Sequence, residues 1–180
     1  METGEEIKEM MYAGTFRWLG AAGLELCVAG TRLWIDPYLT RASIPHLLFS
    51  RVRSDIQALE DMLVGSPYDG GIVRGRDYIL VTHAHFDHLL DVPALARRTD
   101  AIALGSPNTC GLLAALGMPL HQILKLNVGD SVTLGPFCID VLTAEHRRLL
   151  GQPICAGALP ARLVPPLRAW DYRMDVVFSF

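Results

Sequence analysis

Apolar and β-branched residues alternate with polar ones, or form short runs, through TFRWLG, LELCVAG and TRLWIDPYL, and glycine-containing turns separate the three segments. That pattern predicts a small antiparallel meander behind a weakly helical leader from Glu5 to Met11. The period changes at SDIQALEDMLVG. There Ile56, Leu59 and Leu63 share one helical face, Ser54 and Gln57 have the spacing of a capping box, and Gly65 offers a stop. After the glycine-rich stretch SPYDGGIVRGRD, the run YILV reads as a buried strand. A helix then begins near Asp91, with Pro93 in its first turn. The alternation continues with AIALG as strand, SPNTCGLLAALG as a capped helix ending at Gly117, and QILKLN as strand. Two hairpin-like strands follow, SVTLG and FCIDVLTA, joined through Gly135 and Pro136. From Arg147 to Arg173 periodicity is lost among Pro153, Pro160, Pro165 and Pro166, which predicts a long loop serving as a lid or as a plain connector. The final run, MDVVFSF, is apolar and β-prone and reads as a strand that needs a neighbour.

Strands alternating with helices after an antiparallel start predict a mixed α/β (α+β) architecture. At 180 residues, 51% hydrophobic and 19% charged, the chain has material for one cored domain, expected over 15–180 behind the leader 1–14. A net charge of -3, with no basic run longer than two residues, provides no surface for a phosphate backbone, so nucleic acid is not an expected partner. Cys27, Cys110, Cys138 and Cys155 form no CxxC pair, which sets aside a zinc knuckle and a dithiol redox motif. The acidic opening METGEEIKEMMYAG is unlike a signal peptide, and no apolar run approaches the ~18 residues that span a bilayer. The expectation is a soluble cytoplasmic protein with no membrane partner.

The chemistry concentrates in THAHFDHLLD, where His83, His85, Asp87 and His88 fall within six positions of a chain with six histidines. In an extended stretch leaving YILV, His83 and His85 project to one side and can share a metal. A turn would throw Asp87 and His88 the other way, where they can serve a second ion. Two ions ~3.5 to 4 Å apart can bridge a water, lower its pKa and clamp the oxygens of an ester or phosphate. His146 directly follows a predicted strand, a position from which a loop delivers a ligand. His121 in GMPLHQ reads as exposed, His46 as at best a pocket residue, and Arg147 and Arg148 as a charged surface loop more than as contacts to an anionic substrate.

The run THAHFDHLLD resembles the HxHxDH signature of the metallo-β-lactamase-fold hydrolases. WLGAAGLELCVAGTRLWIDPYL is similar to the opening meander of that superfamily, and NVGDSVTLGPFCIDVLTAEH to the strand pair before its next histidine ligand. The likeness covers most of residues 15 to 180 and is greatest to the branch of the ascorbate-phosphate lactonases and N-acylethanolamine-releasing phospholipases D. It implies a metallo-β-lactamase αββα sandwich, a divalent cofactor of one or two ions, with zinc the first choice and manganese or iron also suited, and a small-molecule substrate. By the same resemblance His83, His85 and His146 would hold one metal, Asp87 and His88 the other, and Asp87 would also orient the attacking water. Asp36, in WIDPYL, would accept from a ligand histidine and fix its tautomer, or is simply a turn residue before proline. Relatives often have a histidine in the first glycine turn, where this chain has Ala21. They also supply a bridging aspartate and a last histidine after the third ligand, whereas no histidine follows His146 here. The expectation is therefore a sandwich lacking most of its C-terminal half, whether as a piece of a longer hydrolase, a half completed by another chain, or a shortened relative. Such a half would expose an apolar sheet and form homo-oligomers. The implied activity is hydrolysis of an ester, lactone or phosphodiester by a metal-activated water; the alternative is a non-catalytic metal-binding or assembly protein.

Overall fold

The computed structural model describes residues 14–65, 75–146, 148–149 and 152–180. The leader helix, most of the glycine-rich stretch and Arg147 lie outside them. The organising element is a six-stranded sheet in the order β1-β2-β3-β4-β5-β6: β1 (Thr15–Gly20), β2 (Gly23–Val28), β3 (Thr31–Ile35), β4 (Tyr78–Leu80), β5 (Ile102–Gly105) and β6 (Ile123–Lys125). The first three strands pair antiparallel, as the glycine-turn pattern predicts. From β3 onward the pairing is parallel, as expected for strands joined through helices. Alternating side chains divide the core. Trp34, Ile79 and Ala103, in register across β3, β4 and β5, face the helices α1 (Ile44–Phe49), α2 (Ile56–Val64), α3 (Phe86–Leu89), α4 (Val92–Thr99) and α5 (Pro107–Ala115), of which all but α1 bury apolar residues. Leu33, Leu80 and Leu104 face the opposite way, toward Leu134, Val141 and Phe178 of a second β layer. The fold is a mixed α/β architecture consistent with the metallo-β-lactamase fold.

The second layer consists of strand pairs, β7 (Ser131–Leu134) with β8 (Phe137–Asp140) and β9 (Leu142–Ala144) with β12 (Val177–Ser179); a separate short hairpin pairs β10 (Arg148–Leu149) with β11 (Gln152–Pro153). FCIDVLTA, expected as one strand, divides at the buried Val141, because the β8 half pairs with β7 and the β9 half with β12. The C-terminal run finds its neighbour in β9, and the Phe178 N–H also donates to the Thr82 carbonyl (2.8 Å). Helix α2 also departs from expectation. Its N-cap is Asp55, which accepts from the Ala58 N–H, while Ser54 donates its hydroxyl to Leu90 O. Its buried residues are Leu59 and Met62, and Ile56 is exposed, because the contact with α4 selects a face rotated from the one read in the sequence.

Candidate metal centre

The site lies at the carboxyl ends of the parallel strands β3 and β4, where open α/β sheets place their ligands. Beyond β4 the chain does not stay extended through residue 88. His85 is the N-cap of α3, and that turn brings His88 back beside His83, with ring centroids 4.0 Å apart. The expected divergence of His88 is thus corrected: helical winding puts residues three apart on adjacent turns. His146 arrives from the second layer, just past β9, 63 positions from His83 in the chain. Its ring centroid stands 4.8 Å from that of His83 and 4.7 Å from that of His85. Ligand atoms of His83, His85 and His146 all lie within 4.8 Å of one another.

Hydrogen bonding specifies the lone pairs. The Asp36 carboxylate accepts the Thr82 N–H (2.8 Å) and the Thr82 hydroxyl (2.6 Å). Because that hydroxyl donates to Asp36, the Thr82 oxygen is left to accept from His83 Nδ1 (3.0 Å), so His83 Nε2 carries a lone pair. His85 Nε2 sits 3.0 Å from the Ile154 carbonyl, which only accepts, so His85 Nδ1 also carries a lone pair. These two bare nitrogens face each other at 3.1 Å. Between neutral donors of this kind a cation is the stabilising occupant, and the arrangement fits one divalent metal with a further position open. Protonation is disfavoured in step. Burial, then the charges that His88, His85 and His146 would carry, press the His83 pKa down to about 2. Burial followed by His146 lowers that of His85.

His88 differs. Burial pulls its pKa down, but its 2.8 Å contact with Asp36 and the charges of Asp36 and Asp87 outweigh that and leave it raised. Its Nε2 is 3.7 Å from the Asp87 carboxylate, whose side chain is 45% exposed. Asp36 therefore holds His88 and Thr82 together from a left-handed backbone position (φ 47) that aspartate tolerates better than most residues. Thr82 and the Ile154 carbonyl were not singled out in the sequence. Thr82 adjoins the histidine run and was within reach, but nothing local marks a carbonyl 69 positions from its histidine. His46 and His121 are exposed.

The family described as the beta-lactamase superfamily domain matches residues 32–157, which include Asp36, His83, His85, Asp87, His88 and His146. The chain belongs to the beta-lactamase superfamily. Among curated members, a UPF0173 metal-dependent hydrolase of Azorhizobium caulinodans is 28% identical over 134 residues, covering 72% of this chain and 48% of the relative. One from Ruegeria sp. is 32% identical over 130 residues, covering 72% and 47%. The chain spans about half the length of these relatives. Among solved structures, Igni18, a metallo hydrolase of Ignicoccus hospitalis, aligns with a TM-score of 0.45 at 20% identity, over 73% of this chain and 48% of that one. Among the described residues no helix is long and apolar enough to cross a membrane.

Proposed function

We propose that this beta-lactamase superfamily chain is the metal-holding part of a hydrolase that cleaves an ester, lactone or phosphodiester of a small molecule. The observation that carries the reading is the convergence of two bare imidazole nitrogens and His146 on one point. His83, His85 and His146 would hold one divalent ion, zinc by preference, and Asp87 with His88 would hold a second. Such an ion supplies Lewis-acid activation of water and neutralises charge developing on the substrate oxygen. Around it, Thr82 and Ile154 keep the two imidazoles in their binding tautomers, and Asp36 aims His88. The exposed Asp87 carboxylate would also accept a hydrogen bond from the attacking water and orient it.

A second reading, a metal-binding or assembly protein without turnover, draws on one observation: the three-histidine group is compact, whereas Asp87 and His88 engage each other and Asp36. Four free thiols support the cytoplasm as its compartment. Phe16 and Trp18, 66% and 65% exposed on the edge strand β1, support association of copies, against which a stable monomer in gel filtration would count. The two functional readings separate in one experiment: metal content by mass spectrometry, with hydrolysis of aryl ester, lactone and bis-aryl phosphodiester probes before and after chelation. Metal-dependent turnover of any probe supports the hydrolase. Stoichiometric metal without turnover supports the binding protein, and no metal under saturating conditions removes both.

A further inference from the structure

We propose that Arg41 is a specificity-determining residue of this site, its guanidinium receiving a carboxylate or phosphate that the substrate carries away from the bond that breaks. The proposal rests on the hydrolase reading and adds a substrate class to it. Arg41 occupies a left-handed backbone position (φ 50). Glycine takes that conformation freely and a long side chain does not, so the arginine carries a local cost of the kind that collects at functional sites. Asp36 and Cys155, which stand beside His88 and His85, also have positive φ, as do Ala21, Ala29 and Asp100.

The guanidinium is held in place. Nη2 donates to the Leu19 carbonyl at 2.7 Å, and the Cζ lies 5.3 Å from the centre of the Tyr38 ring. A Cβ on Gly20 would overlap Nη2, so the glycine leaves the space that the guanidinium fills. Arg17, Arg32 and Arg98 are each paired with a carboxylate, of Glu25, Asp77 and Glu60 respectively. Among the described residues no carboxylate pairs with Arg41, which is exposed and keeps further N–H donors for a ligand.

Two chains of contact run from this charge to the metal centre. The Tyr38 ring packs edge-on against Phe86 at 5.9 Å, between His85 and Asp87 in the chain, and the Tyr38 hydroxyl feels both Asp87 and Arg41. On the other side, Gly20 adjoins Gly23, where a Cβ would stand 3.2 Å from the Gly20 and Asp36 carbonyl oxygens, and Asp36 holds His88. A pre-oriented guanidinium beside a metal centre selects for an oxyanion, because its planar donors match carboxylate and phosphate geometry.

The test is a titration of the full chain, freed of metal so that coordination contributes nothing. Phenyl phosphate and benzoate are the anionic probes and benzyl alcohol the neutral reference, read by ligand-observed NMR. Arg41→Gly is the informative variant, since glycine relieves the backbone strain; a thermal midpoint at or above wild type verifies its fold. Phenyl phosphate or benzoate is expected to bind about ten-fold more weakly, relative to benzyl alcohol, in Arg41→Gly, with partial recovery in Arg41→Lys. Whichever anion loses more identifies the group recognised. Equal ratios in wild type and Arg41→Gly, or no anion binding to wild type, overturn the proposal. On metal-loaded protein, the ratio of kcat/KM for aryl esters with and without a distal anion should fall about ten-fold in the same variant. Turnover with an unchanged ratio also refutes Arg41. A binding difference without turnover leaves the anion site standing and refutes the hydrolase reading instead.

Discussion

Strands β3 and β4 carry polar clusters at both ends, and the two clusters are opposite in kind. At the amino end, Arg32 opens toward Asp77, donating from Nε to both carboxylate oxygens at 3.2 Å and from Nη2 to one of them, with both side chains buried. Every charge there meets its opposite within the protein. At the carboxyl end, a few residues along the same strands, His83 and His85 face each other with lone pairs and no proton between them, and His146 closes the group. The first cluster is complete as it stands and functions as a structural lock. The second leaves its bare nitrogens without a proton or charge to share, which is the basis of the metal site proposed there. Burial alone does not distinguish the two, because His83 and His85 are as buried as Arg32 and Asp77.

That contrast can be broken at either end. The largest effect is expected from His85→Ala, which removes one of three converging nitrogens and should abolish metal uptake, read as metal per chain after dialysis. Unchanged metal content would sink the ligand assignment. Asp77→Ala should leave metal content intact but destabilise the fold by about 3 to 5 kcal/mol in urea unfolding, because it strands a buried guanidinium. Pairing it with Arg32→Met should restore most of that loss, and failure to do so would show that Asp77 does more than balance Arg32.

Asp36→Asn keeps the shape and tolerates the left-handed backbone while removing the charge that holds His88. A fall in metal affinity of about 10 to 100-fold is expected, and no change would reduce Asp36 to a turn residue. The smallest effect is in the pH dependence of the metal-free chain. His83 and His85 have lowered pKa values, so their contribution to stability is present above the unfolded value of 6.5 and is lost as pH falls, toward about 2 for His83. His88, with a raised value, contributes fully below 6.5 and loses that contribution only as pH rises through its folded value. From pH 6.5 to 5 the thermal midpoint should therefore drop, and His83→Asn should flatten the slope. A flat wild-type profile would contradict the neutral imidazole cluster.

Legibility in the sequence followed the range of the interaction. The meander, the strand before the histidine run and the helices after it were readable because hydrophobic period, glycine turns and capping residues act within a few positions. The same local rules erred at α2, where Asp55 and not Ser54 caps, since Ser54 is drawn off to the Leu90 carbonyl. They also read Asp91 only as a helix start. In the fold its buried carboxylate accepts the N–H groups of Leu39 and Thr40 and the Thr40 hydroxyl, pinning the loop from which Arg41 projects.

By itself the sequence determined that a buried strand would lead directly into three histidines and an aspartate within six positions, with His83 and His85 on one side, because strand and turn propensities and donor chemistry are properties of neighbouring residues. Tertiary structure alone decided that His88 turns back to Asp36, that His146 crosses from the second β layer, and that Ile154 sets the His85 tautomer. It likewise decided that Arg32 is locked by Asp77 while Arg41, bonded to the Leu19 carbonyl, pairs with no carboxylate among the described residues. The physical reason is that each of these depends on which distant segments the two faces of the central sheet bury, and with them on which charges are compensated inside the protein and which remain to meet a ligand.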